Sequence, residues 1–232
     1  MESAGSARRD ASGGRRQGER AGLDVDRIVE AASALDPSEI TMRRVAARLG
    51  VDHKALNHHV ADRETLMGLL AWRAFAAHFD ADAPASADWK SACVDYAEAV
   101  VDAAVAVGPL IDHLSLRGAP LTGFVLRTEH FVGTLVAAGF TDEQALRATV
   151  ILTNLCIAHA RDVVTARTLA THPRSDVVRA AFAQSADSSP DEDFPNLTRI
   201  LDAQIDTYSH GQFTFALAVI VNGLALIAGV PN

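Results

Sequence analysis

Between Thr41 and Leu66 the chain reads TMRRVAARLGVDHKALNHHVADRETL, a stretch dense in side chains that hydrogen-bond to nucleic acid. At helical spacing His53, Lys54, Asn57 and His58 share an outward face. His53 and Lys54 fall at the start of the second of two short helices, where helix-turn-helix proteins meet base edges. Ala55 offers a methyl to thymine, and Asn57 has the fork for adenine or a donor for phosphate.

The surrounding residues predict the elements that hold this face in place. Thr41 is suited to cap a first helix whose apolar positions Val45, Ala46 and Leu49 repeat at helical spacing. Gly50 follows, where a left-handed backbone turns the chain, and Val51 plugs the angle. Asp52 caps the second helix, with Ala55, Leu56 and Val60 inward. Asp62 caps a third and longer one, with Leu66, Leu69, Leu70 and Phe75 as its inner stripe.

Other chemistry is weaker. His53, His58 and His59 do not share the spacing of a metal site, and no nearby cysteine or carboxylate completes one. There is neither a glycine-rich phosphate loop nor a G-x-S-x-G elbow, so no enzyme is expected and no cofactor or metal is required.

From Ile40 to Phe75 the chain resembles the tetracycline-repressor family of bacterial transcription regulators, through T-x-R-x-[VL]-A-x-x-L-G-V, then A-L-x-x-H-V, then a leucine-led linker helix. A second likeness lies in FPNLTRILD (194–202) and GQFTFALAVIVNGL (211–224), similar to that family's C-terminal dimerisation and ligand domain. The resemblance implies a DNA contact set of Thr41, Arg43, His53, Lys54, Ala55, Asn57, His58, His59 and Arg63. Arg43 stands where an arginine reads a base; its alternative is a surface arginine paired with Glu39 or solvated. His59 matches a recurrent histidine that contacts backbone or packs, and Arg63 a phosphate-contacting position. Asn57 departs from the pattern, since most members carry tyrosine there, and this implies a changed operator preference.

The resemblance also implies an effector pocket in the body. Aligned through Trp89, Ala138–Phe140 and Ala145–Leu146, the residues Phe79, Tyr96, Val100, Phe131 and His159 are similar to those lining the tetracycline pocket. Tyr96 and His159 are candidates to hydrogen-bond a ligand, and equally ordinary core residues with satisfied polar atoms. His159 stands where that repressor has a magnesium-linked glutamate, and Ser115 where it has a histidine. Hard Mg²⁺ wants oxygen ligands, so a metal-free apolar or aromatic effector is expected.

A chain of 232 residues, 49% hydrophobic and only 6% aromatic, suits an all-α fold of one or two domains. The net charge of −8 argues against general nucleic-acid binding, but residues 1–79 carry 12 Arg and Lys against 11 Asp and Glu while 80–232 carry 9 against 18. The acidic excess is C-terminal. Expected divisions are a disordered basic arm over 1–20, a solvated leader or a minor-groove arm; a helix-turn-helix domain over 21–70; and a ligand and dimerisation domain over 71–232. Helices are expected near 24–35, 41–48, 52–58, 62–80, 87–107, a short one at Gly108–Pro109, 121–138, 142–168, 174–184, 195–207 and 212–228, with a loose loop from Ser185 to Pro195. The apolar run Phe213–Val230 is long enough for a membrane span, but it lacks basic anchors and suits a buried or interface helix better. Cys93 and Cys156 lie far apart inside helices and no signal peptide opens the chain, which suits a cytoplasmic protein with reduced thiols.

The expected protein is therefore a homodimeric, ligand-responsive repressor that binds a double-stranded DNA operator and responds to a small-molecule effector, away from the membrane. The alternatives are a helical sensor or carrier whose DNA head has decayed and, behind that, an α-helical enzyme using His159.

Overall fold

The computed structural model describes residues 23–82, 86, 88–115, 121–169, 173–188 and 194–229. Among these every regular element is helical, so the fold is all-α as the composition implies. The N-terminal arm over 1–20 and residues 189–193 lie outside the described residues.

The head consists of α1 (Val25–Ser33), a 3₁₀ turn (Pro37–Glu39), α2 (Met42–Leu49) and α3 (His53–Asn57), closed by the first half of α4 (Arg63–Ala76). Ile28, Val45, Leu56, Val60 and Leu66 form its dry centre. Five residues are too few for a helix that stands alone. α3 is held because Leu56 is sealed in that centre and both ends are fixed by neighbouring turns.

α4 belongs to both parts of the molecule. Its Leu66, Met67 and Leu70 sit in the head core, and its Ala71, Trp72 and Phe75 in the body core. More of α4 is buried than the four-residue stripe read from sequence, because neighbours cover it on several sides. It ends at Ala76 rather than near 80: Asp80 accepts the N–H of Asp82 at 3.0 Å, a local turn that competes with further helix.

The body is built on α5 (Trp89–Ala106), packed against α7 (Asp142–Thr168). Ala97, Ala103 and Ala104 of α5 meet Ala145, Ala148 and Ala160 of α7 in the same dry cluster. Small side chains let the axes approach, and Cys156 donates its thiol hydrogen to the Ala97 carbonyl at 3.4 Å. Both cysteines are free and buried, and burial pushes each thiol up to about 12, so they stay protonated and inert. α7 starts at a complete capping box between Thr141 and Gln144.

Against this pair lie a 3₁₀ turn (Gly108–His113), α6 (Thr122–Ala137) and α10 (His210–Ala228), while α8 (Pro173–Ser188) and α9 (Pro195–Asp202) come between α7 and α10 in the chain. α8 runs through the beginning of the expected loop because Ser185 returns its hydroxyl to the Ala181 carbonyl at 2.9 Å, which satisfies the serine inside a helix. α9 stops at Asp202 instead of near 207: Gln204 takes a left-handed φ of 48°, and Asp206 accepts the N–H of Tyr208 at 2.9 Å in a new turn. α10 is long and apolar enough to cross a bilayer, with mean hydropathy 1.8. Its Phe213, Leu217, Val221 and Ala225 join the body core, whereas Phe215, Val219, Leu226 and Ile227 remain exposed, so it is buried along one side only.

Candidate nucleic-acid interface and ligand region

The helix-turn-helix geometry follows residue by residue from its caps. Thr41 has extended backbone and its Oγ1 accepts the N–H of Arg44 at 3.2 Å, which starts α2. Gly50 takes φ 67° and ψ 31°. The N–H of Val51 then reaches back to the Ala46 carbonyl at 3.1 Å, the longer bond of a left-handed helix cap. Asp52 accepts the N–H of Lys54 at 2.7 Å to start α3, and Asp62 accepts that of Thr65 at 2.7 Å to start α4. The Thr65 backbone bond, followed by one from the Thr65 hydroxyl, holds the Asp62 carboxyl below its usual range.

This frame leaves Arg43, His53, Lys54, Asn57, His58 and His59 exposed, with Ala55 half-buried against the head. They form a polar surface over α2 and α3. Glu39 pairs with Arg44 at 2.8 Å rather than with Arg43. Among the described residues Arg43 has no ion pair, so its guanidinium remains available. Arg63 carries a contact that spacing could not reveal: its Nε donates to the Ile40 carbonyl at 2.8 Å, just before the α2 cap. No group of three or more His, Cys, Asp or Glu among the described residues could hold a metal ion.

Linker and body meet at the turn Gly108–His113. His113 Nδ1 lies 2.9 Å from Glu64 Oε1, Trp72 Nε1 donates to the Ser115 carbonyl, and Asp112 pairs with Arg161 of α7 at 3.5 Å. Leu110 from the same turn packs against both cores.

The five residues singled out for a ligand are all buried in the body. Tyr96 stacks on Phe131 with centroids 4.5 Å apart and planes 11° from parallel. Its hydroxyl lies 3.2 Å from Thr153 Oγ1 and 3.4 Å from Thr128 Oγ1, so its polar atom has partners. Burial pushes its pKa up, and it remains a neutral phenol. Phe79 stacks on Phe75 at 5.1 Å and lies under the Arg127 guanidinium. Val100 is fully buried. His159 stacks on Phe213 of α10 at 4.7 Å, 15° from parallel. Its pKa is lowered, first by burial and then by the nearby His210, while Asp162 acts in the opposite sense.

A groove of about 470 Å³ opens elsewhere, between α5 and α10. It shares none of the five residues; its α10 wall lies within the 211–224 stretch, but its pairing with α5 joins helices far apart in the chain. Phe213 is the point where this groove touches the His159 stack.

A three-helix head with an exposed polar face, joined through one shared helix to a larger helical body, is the architecture of a one-component DNA-binding regulator. A family model described as the tetracyclin repressor-like C-terminal domain matches residues 83–227, and the chain belongs to the tetracycline-repressor family of transcription regulators. Solved structures agree in fold. Apo ActR from Streptomyces coelicolor is 23% identical over 89% of this chain and 97% of its own, with a TM-score of 0.65. ActR in complex with actinorhodin is 22% identical over 91% and 99%, with a TM-score of 0.63. A TetR variant from Acinetobacter baumannii AYE in complex with minocycline is 18% identical over 90% and 97%, with a TM-score of 0.60. No functionally curated protein matches the sequence.

Proposed function

We propose that this chain is a homodimeric repressor that leaves a palindromic operator when a small apolar or aromatic effector binds. The observation that carries the reading is the capped α2–α3 unit, whose outward residues are polar and solvent-facing while its inward residues are sealed. Arg43 suits guanine O6 and N7, a pairing that discriminates by about 1–3 kcal/mol, with His53, Lys54 and Ala55 beside it at the head of α3. Asn57 and His58 extend the same face, and Thr41, His59 and Arg63 flank it.

Dimerisation is supported by the bare apolar residues Leu146, Val150 and Ile151 on α7 and Phe215, Val219, Leu226 and Ile227 on α10. Pairing these helices with their copies would make a four-helix bundle and set the separation of two heads, about 34–36 Å for successive major grooves. An effector shifts that spacing only through unequal affinity for two states. Moving a population from 99:1 to 1:99 takes about 5.5 kcal/mol of preference. The Glu64–His113 and Trp72–Ser115 contacts give body movements a direct purchase on α4. In the body, Phe79, Tyr96, Val100, Phe131 and His159 are the effector-contacting candidates, metal-free, reached after the stacks open. The setting is cytoplasmic, on the nucleoid when operator is bound.

The test is selection of bound genomic fragments by purified protein at moderate salt, repeated with Arg43→Ala. Enrichment of one palindromic site, lost in the variant, is the expected result. No enrichment with either protein would overturn the reading and favour a sensor whose head no longer binds DNA.

A further inference from the structure

The groove between α5 and α10 has a consistent chemistry. Its floor is Val94 of α5 with Phe213, Leu217 and Val221 of α10, and its α5 rim carries Asp95 and Glu98. Asp95 is engaged, accepting the Ser86 hydroxyl at 2.5 Å. Glu98 is exposed and has no hydrogen-bond or ion-pair partner among the described residues. The groove's basic groups are Lys90, which lies over the Trp89 ring at 5.6 Å, and His210, whose ring is 6.0 Å from that of Phe213. A volume of about 470 Å³ is in the range of pockets for small organic molecules.

The bare apolar residues of α10 at Phe215, Val219, Leu226 and Ile227 do not line this groove. A bundle built on them therefore uses a different side of the helix. The body is also acidic, with 9 Arg and Lys against 18 Asp and Glu over residues 80–232, so its field draws cations toward the rim.

We propose that the α5–α10 groove is a binding site for a lipophilic organic cation, its ring system on Val94, Leu217 and Phe213 and its ammonium or amidinium at Glu98. Phe213, buried and stacked on His159, contributes apolar wall to the groove rather than an open ring face. Phe213 is also the ring on which His159 stacks, so an occupant presses on the α7–α10 contact from outside. This site is independent of the DNA-binding reading, because its test measures binding to the free protein.

The probe set is 9-aminoacridine, cationic at slightly alkaline pH; acridine, the same ring system but neutral there; and acridine-9-carboxylate, an anion. Fluorescence titration should rank them in that order, with 9-aminoacridine bound about tenfold more tightly than acridine at low salt and less so at high salt. Glu98→Gln, a surface change, should bring the cation and the neutral ring to similar affinities. Ala218→Phe, which fills the groove from an exposed position, should weaken both. Equal affinity for all three probes, no binding of any, or a cation preference that survives Glu98→Gln would overturn the proposal. So would binding unaffected by Ala218→Phe.

Discussion

Arg63 Nε donates to the Ile40 carbonyl at 2.8 Å, so the first residue of the linker helix holds the backbone at the entrance to α2. The residue read as a phosphate contact thus also braces the DNA-reading unit, and the two roles separate by substitution. Arg63→Lys keeps a positive charge but loses the planar Nε donor. It should destabilise the protein by about 1 kcal/mol in urea unfolding while leaving the salt dependence of DNA binding nearly intact. Arg63→Ala should show the same destabilisation and also reduce the salt slope by about 1. Wild-type stability in both variants would show that the Ile40 bond contributes nothing.

Gly50 closes α2 with φ 67°, and a Cβ built there meets nothing within 4 Å. The penalty for Gly50→Ala is therefore backbone strain alone, about 1–2 kcal/mol. Thermal unfolding should fall accordingly, with DNA affinity reduced at temperatures where the folded fraction is still complete, because α3 is only five residues long and takes its angle from this turn.

His159 predicts a pH dependence of stability. Its folded pKa lies below the ordinary 6.5, chiefly from burial and secondarily from His210. In the window between that lowered value and 6.5 the unfolded chain binds the proton more readily than the folded one. Its contribution is fully present above about pH 6.5 and is lost as pH falls through the window. His159→Phe should preserve stacking on Phe213 and flatten that part of the profile. Urea midpoints for both proteins from about pH 8 to about pH 5 provide the comparison. Parallel curves would remove His159 as a contributor.

The Tyr96 hydroxyl lies between Thr128 of α6 and Thr153 of α7. Tyr96→Phe should cost about 1 kcal/mol, since the ring keeps its stack on Phe131 while the threonines lose a partner. If an effector hydrogen-bonds this phenol, the variant should also need more of it to leave DNA, read by fluorescence anisotropy of a labelled operator. Unchanged release would place the effector away from Tyr96.

Local chemistry made the head legible in the sequence. Thr41, Asp52 and Asp62 cap helices through side-chain bonds spanning two or three residues, and Gly50 turns the chain by its own backbone freedom. Such interactions lie between near neighbours, so spacing alone reveals them. The span of α7 was equally readable, expected and found at 142–168, and the structure starts it with a capping box at Thr141 and Gln144. Helix ends without such signals were not. Gln204 in left-handed backbone and Ser185 bonded back into α8 depend on how the local chain settles.

What only the tertiary structure decided are contacts between distant segments. Arg63 on Ile40, Arg44 rather than Arg43 on Glu39, and His113 beside Glu64 result from how packed helices bring their surfaces together. The same holds for the ligand region: the family resemblance picks out Tyr96, Phe131 and His159, but the stacks they form and the groove they leave unlined depend on the packing of α5, α6, α7 and α10. A sequence specifies which face of each helix is apolar; burial against a particular neighbour is a property of the assembled core, where many small contacts compete for the same space.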